Sequence, residues 1–258
     1  MRVRKLDQPR GWAFTLGASI LKPPLVTLTR RTWIDGEKIP ATGGCLVVVN
    51  HISHADPLTT AHFVYDHGRL PRYLAKSGLF ENGLLSYFLR SAGQIPVKRL
   101  TTDAVGAYAA AVAAVRAGEC VVVYPEGTIT RDPDLWPMRG KTGAARIALE
   151  TSCPVIPVAQ WGVQNLLAPY ARKPDLFPRK RITYRAGDPV DLADLRDRTG
   201  STDATREATD RIMAAITALL EEVRGEKAPA VRYDPRTTGT AEIGNPNKNK
   251  KQKKGRRS

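Results

Sequence analysis

Cysteine, aromatic rings, acidic charge and long apolar runs are all in short supply in this sequence, and each shortage removes a class of protein. Three cysteines in 258 residues argue against a disulfide framework. Cys45 and Cys120 open the apolar runs Cys45-Leu-Val-Val-Val49 and Cys120-Val-Val-Val-Tyr124, and Cys153 precedes Pro154. Such settings suit buried free thiols in a reducing compartment better than a thiol nucleophile. Four Trp and five Phe, with none of the signatures of nucleic-acid readers, leave specific nucleic-acid binding unsupported by anything except charge. A spanning helix needs about 20 largely apolar residues; the stretch Trp12–Leu28 is interrupted by Lys22-Pro23-Pro24, which leaves an uninterrupted run of ten, Trp12–Leu21. No small-residue cleavage site follows an apolar stretch, so no secretory leader is expected. No internal repeat is found.

What is abundant is positive charge. Forty Lys and Arg face 25 Asp and Glu, a net +15 with a pI near 10.0. The segment 226–258 alone carries ten basic and three acidic residues, and seven of the last eleven residues are Lys or Arg. Polybasic surfaces are drawn to anionic lipid and to nucleic acid alike, so charge by itself does not choose. The Trp12–Leu28 stretch is flanked by Arg2, Arg4, Lys5 and Arg10 on one side and by Arg30 and Arg31 on the other. It reads either as a helix lying in a membrane interface or as an ordinary helix packed on the domain.

Hydrophobic residues make up 42% of the chain, enough for one domain with a substantial core. Cys45–Val49 and Cys120–Tyr124 read as buried strands: short, β-branched and bounded by turn residues. Arg72–Lys76, Gln94–Lys98, Val155–Gln160 and Ile182–Arg185 are further strand candidates. Phe80–Leu89, Thr101–Ala117 (closed by Gly118), Lys141–Thr151 and Asp203–Arg224 read as helices, and another is expected to start at Pro57. Strands alternating with helices predict an α/β fold, a single layered domain with a largely parallel central sheet flanked by helices. The expected organisation is an N-terminal membrane-associating segment over 1–34, an α/β domain over 35–225, and a disordered basic tail over 226–258.

The loop after the first buried strand reads Asn50-His51-Ile52-Ser53-His54-Ala55-Asp56-Pro57. A carboxylate here can accept the ring N–H of His51 and leave the other nitrogen as a general base. Three plainer readings stand beside it. Asp56-Pro57 is a good N-cap and first-turn pair; His51, His54 and Asp56 could ligate a metal, although the spacing matches no common zinc pattern; and His51 could be a satisfied loop histidine.

The Asn-His-x-Ser-x-x-Asp pattern resembles the first motif of the glycerolipid acyltransferase family, best represented by bacterial 1-acylglycerol-3-phosphate acyltransferases. Three more motifs follow in the family's order. Gly93-Gln-Ile-Pro-Val-Lys-Arg99 resembles the second, Tyr124-Pro-Glu-Gly-Thr128 the third, with Tyr for the more usual Phe, and Cys153-Pro-Val-Ile-Pro-Val158 the fourth. The resemblance implies that His51 deprotonates the acceptor hydroxyl while Asp56 orients it. The hydroxyl then attacks a thioester directly, without an acyl-enzyme. It implies that Arg99 binds the acceptor's phosphate, a task suited to a guanidinium, and that Glu126, Gly127 and Thr128 contribute to acceptor binding. The fourth motif would form an apolar wall for the acyl chain or, equally, a core strand with an edge proline.

One departure stands out. The family often continues Glu-Gly-Thr-Arg-Ser, whereas this chain has Ile129 and Thr130. Arg131 is the candidate to supply the missing charge, and Lys76 is a further phosphate-binding candidate. The implied partners are acyl-CoA or acyl-carrier protein, lysophosphatidate and an anionic membrane surface, with no metal or organic cofactor and no specific nucleic acid. The expected location is the cytoplasmic face of the membrane, peripheral or monotopic. Rival acceptors are glycerol 3-phosphate or a glycosylated phospholipid. Rival classes are a basic nucleic-acid-binding protein and an inactive scaffold.

Overall fold

The computed structural model describes residues 4–6, 8–81, 83–97 and 104–239. Along the chain run α1 (Trp12–Leu28), β1 (Thr29–Ile34), β2 (Cys45–Val49), α2 (Asp56–Asp66), β3 (Pro71–Lys76), α3 (Gly83–Ser91) and β4 (Ile95–Val97). They are followed by α4 (Ala104–Arg116), β5 (Cys120–Val123), α5 (Gly143–Thr151), β6 (Val155–Trp161), α6 (Val163–Leu166), β7 (Lys180–Ala186) and α7 (Thr202–Arg224). The strands form one seven-stranded sheet in the order β1-β7-β6-β2-β5-β3-β4. Every neighbouring pair is parallel except β6 and β7. The sheet is therefore mixed, with a parallel majority.

The β-branched runs become the middle of this sheet because both of its faces are covered. Leu46 and Val48 of β2 point into a core packed by α4, α5 and α7. Cys45, Val47 and Val49 point to the other side, against Phe63 and Val64 of α2. A strand buried on both faces has no polar positions to spare, which is why β2 reads as a continuous apolar run. Cys45, Cys120 and Cys153 are free thiols, the first two buried. Beneath the N-terminal ends of these strands the buried Arg69 donates to the carbonyls of Pro40, Gly43 and Gly118, each at 2.7 Å. It satisfies loop carbonyls that the sheet does not reach.

Two boundary expectations need correction, while the Trp12–Leu28 stretch is a helix as expected, α1 continuing through both prolines to Leu28. Proline cannot donate to the carbonyl four residues back, but Ser19 and Ile20, whose carbonyls lose a partner, are themselves exposed. Residues 29–34 belong to the sheet as β1, paired in register with β7 from Thr29–Lys180 to Ile34–Arg185, rather than to the segment ahead of it. Beyond α7 the chain stays ordered to residue 239. Arg139 N–H donates to Tyr233 O at 2.9 Å, and Arg139 pairs with Asp234 at 3.1 Å. The rest of the expected tail lies outside the described residues.

α1 packs its Phe14 on Tyr65 of α2, ring centroids 5.5 Å apart, and its Trp12 on Tyr87 of α3 at 5.6 Å. Among the described residues no helix is long and apolar enough to cross a membrane.

Candidate active site

Parallel strands put their C-terminal ends on one rim, where loops can converge. The loop after β2 carries Asn50 to Asp56, and the loop after β5 carries Tyr124 to Thr128. Lys76 ends β3, its backbone paired with Val97 at the end of β4. Asn50 is buried and clamps the neighbouring strand. Its Nδ2 donates to Gln160 O at 3.0 Å, and its Oδ1 accepts from Gln160 N at 2.8 Å. Ser53 Oγ donates to Leu167 O at 2.6 Å and accepts from Ala55 N at 3.0 Å. The Asn and Ser of the first motif thus fix the loop's path.

Asp56 opens α2, but its carboxylate turns back into the loop instead of capping the helix, whose cap position is Ala55. One oxygen, Oδ2, accepts from Ile52 N at 2.6 Å, from Ser53 N at 2.9 Å and from His51 Nδ1 at 2.8 Å. The carboxylate is fully buried and the imidazole side chain keeps 15% exposure. A carboxylate held this way keeps a proton on Nδ1 and leaves Nε2 as the basic nitrogen. The ring also stacks on Tyr124, centroids 4.3 Å apart. The Tyr124 hydroxyl donates to Thr60 Oγ1 at 3.0 Å, and burial raises its pKa well above the usual value, so it stays a donor.

The backbone of His51 is gripped on both sides by the second loop. Its N–H donates to Glu126 Oε1 at 2.9 Å, and its carbonyl accepts from Thr130 N at 2.8 Å. The other Glu126 oxygen accepts from Met138 N at 3.0 Å. Glu126 is fully buried; burial pushes its pKa up to about 8 against these backbone donors. It presents no oxygen to the open space in front of His51, contrary to the acceptor-binding role that the motif suggested. Its contacts make it the peg that sets the histidine's position.

That open space is a cavity of about 920 Å³, within the range typical of ligand sites. Its walls are largely apolar. Ala13, Gly17, Leu21 and Leu25 of α1, Leu58 of α2 and Phe88 of α3 face it, and His51, His54, Gly127, Thr128 and Lys141 supply polarity. Partial burial, followed by the neighbouring His51, lowers the pKa of His54 and keeps that ring neutral. Among the described residues no three His, Cys, Asp or Glu side chains gather where a metal could be held.

Comparison with known proteins adds the decisive observation: the acyltransferase family model matches residues 30–161. The chain belongs to the acyltransferase family. A 1-acyl-sn-glycerol-3-phosphate acyltransferase of Bacillus subtilis (strain 168) is 27% identical over 191 residues, 73% of this chain and 83% of that protein. The chloroplastic 1-acyl-sn-glycerol-3-phosphate acyltransferase BAT2 of Brassica napus is 29% identical over 140 residues, 53% of this chain. This chain spans only 39% of the length of that relative. The crystal structure of the 1-acyl-sn-glycerophosphate (LPA) acyltransferase PlsC from Thermotoga maritima shares the fold. Its TM-score is 0.59 at 22% identity, covering 81% of this chain and 82% of that one.

Within this acyltransferase the motif residues divide sharply. His51, Asp56, Gly127 and Thr128 are brought to one place, and Lys76 ends a strand on the same rim. Arg99 lies outside the described residues. Arg131 does not line the cavity: its guanidinium lies 4.9 Å over the Tyr170 ring and hydrogen-bonds the phenol oxygen. Ile129 is buried and leaves no charge in its place. The fourth motif is β6, an interior strand of the sheet whose residues do not line the cavity, so the acyl-wall reading is corrected to a core role. Pro157 fits there because β6 pairs with β7 only from Val158 onward, so no ladder donor is asked of it on that flank. Tyr124 as a stacking partner, Thr130 as a backbone clamp and Lys141 at the cavity were not anticipated. The substituted aromatic at position 124 was the only hint.

Proposed function

We propose that the protein transfers a fatty acyl group from acyl-CoA or acyl-carrier protein to the free hydroxyl of 1-acylglycerol-3-phosphate, giving phosphatidate. The observation that carries this reading is the His51–Asp56 pair, 2.8 Å apart, with the imidazole at the wall of a large apolar cavity. His51 Nε2 takes the acceptor's hydroxyl proton as its oxygen attacks the thioester carbonyl. The carbon–sulfur bond breaks, and the proton passes to the departing thiolate. Asp56 holds the tautomer and stabilises the imidazolium. The enzyme's further contribution is to hold hydroxyl and thioester together. The Bacillus subtilis and Brassica napus relatives, both 1-acyl-sn-glycerol-3-phosphate acyltransferases, support the choice of acceptor. Gly127, Thr128, Lys76 and Arg99 are assigned to the acceptor's glycerol phosphate.

Access by lipid is part of the proposal. α1 leaves Trp12, Leu16 and Ile20 exposed at 53%, 47% and 62%, and Leu84 of α3 is 85% exposed. This apolar surface suits an N-terminal segment resting on the anionic cytoplasmic face of a membrane as a peripheral or monotopic protein. The acyltransferase domain follows it.

Incubating the purified protein with palmitoyl-CoA and a panel of acceptors, while following free thiol release, tests the assignment. Release should require lysophosphatidate, and His51→Ala should abolish the acceptor-dependent part without altering the folded-state circular dichroism. Acceptor-dependent release that persists in that variant removes His51 from the mechanism. Preferential use of glycerol 3-phosphate or a glycosylated lipid reassigns the acceptor.

A further inference from the structure

Two ammonium groups line the cavity among the described residues, those of Lys22 and Lys141. Lys22 is already committed. Its Nζ lies 2.6 Å from Asp66 Oδ1, and that carboxylate is only 1% exposed. The Lys141 ammonium has no hydrogen-bond or ion-pair partner among the described residues. The position of Lys141 is nevertheless fixed. Its backbone N–H donates to Pro125 O at 2.8 Å, and its side chain crosses Gly127 so closely that a Cβ there would stand 3.0 Å from Cδ and 3.5 Å from Nζ. Gly127 itself has φ +71°, a conformation that glycine adopts without strain. The ammonium therefore stands over the Gly127–Thr128 turn, one residue beyond the Glu126 carboxylate that holds the His51 N–H. The next cation along this loop, Arg131, is engaged with Tyr170 off the cavity.

We infer that Lys141 binds the phosphomonoester of the acceptor and so places its hydroxyl beside His51. A cationic side chain without a partner among the described residues, at the polar end of an otherwise apolar cavity, is matched by a ligand with one anionic end and one apolar end. Lysine meets a phosphate as a mobile point charge, and its hydrogen bonds to phosphate oxygens are charge-assisted. This inference rests on the proposed acyl transfer to a phosphate-bearing acceptor.

The test compares wild type, Lys141→Gln and Lys141→Arg with palmitoyl-CoA as donor, using lysophosphatidate and the phosphate-free 1-acylglycerol as acceptors. Lys141→Gln should raise the lysophosphatidate KM by about 30-fold, as expected for loss of one charge-assisted hydrogen bond. It should leave the donor KM and the turnover of 1-acylglycerol unchanged, and Lys141→Arg should restore most of the acceptor affinity. An unchanged lysophosphatidate KM overturns the inference, and so does a rise confined to the donor KM, which would give the lysine to the phosphates of CoA. If no acyl transfer is seen with wild type, the proposed function fails on its own. Direct fluorescence titration with short-chain lysophosphatidate then decides the lysine separately. Weaker binding by Lys141→Gln sustains the inference, and equal binding by both proteins removes it.

Discussion

Glu126 holds a proton in the folded protein that the unfolded chain gives up. Its pKa rises from the ordinary 4.5 to about 8 because the carboxyl is buried. Between those values the native state binds more protons than the unfolded state, so stability falls as pH rises and levels off above pH 8. His54 and His67 act oppositely, because burial lowers their pKa values; their stabilisation is lost as pH falls below about 6.5. Subtracting the Glu126→Gln profile removes the histidine contributions and isolates Glu126. Urea unfolding from pH 6.5 to 8 should show the stability of wild type relative to that variant dropping with a slope approaching about 1.4 kcal/mol per pH unit at the acid end. Parallel profiles for the two proteins would mean the carboxyl is ionised when folded. Its peg role was not legible in sequence, because its partners are backbone N–H groups of His51 and Met138, distant along the chain and marked by no side chain. The His51–Asp56 pair was legible because both residues sit in one loop. Lys141 belongs to no motif, and only the fold brings it to the cavity.

At the scale of elements, a polar cluster around Asp66 helps to join α1 to the domain. Burial alone would raise the pKa of Asp66, but hydrogen bonds from His62, Lys22 and Trp33 outweigh it and hold the carboxyl far below the usual range. A depressed carboxylate contributes stability above about pH 4 and loses it on acidification through its folded pKa. Lys22→Met should lower stability at pH 7 by about 1–2 kcal/mol, a figure discounted because the Lys22 side chain is 35% exposed. The loss should narrow near pH 2 in a thermal melt. A variant as stable as wild type at pH 7 would show that Lys22 does not join α1 to α2. The apolar strands β2 and β5 were legible from composition, since burial on both faces leaves a continuous β-branched signature. β1 was not, because Thr29-Arg-Arg-Thr-Trp-Ile34 reads as a basic flank. Charge at the edge of a sheet is how proteins discourage further strand pairing, so the feature that hid the strand also suits its place. The prolines of α1 break the apolar run without ending the helix, because their cost depends on whether the orphaned carbonyls reach solvent.

For the whole molecule, the chemistry and the apolar surface lie on opposite sides of a single helix. One side of α1 lines the cavity, while Trp12, Leu16 and Ile20 face outward beside Leu84. Replacing Trp12, Leu16 and Ile20 with Ser should release the protein from vesicles containing anionic lipid in a flotation assay, with the fold preserved. Undiminished binding would assign the membrane contact to the basic charge alone. Net charge predicts an anionic partner from the sequence but does not locate a contact, because the described residues 226–239 and the pairing of β1 distribute basic groups over the body.

The thinness of that helix has a kinetic corollary. An α-helix with its side chains is about 10–12 Å across, so under the proposed membrane placement an acceptor anchored in the leaflet has at least that distance to cover before its hydroxyl meets the imidazole. Turnover should then follow the mole fraction of acceptor within the lipid film, and diluting the film with inert phosphatidylcholine at constant total acceptor should slow the reaction. A velocity indifferent to such surface dilution would mean that substrate arrives through water.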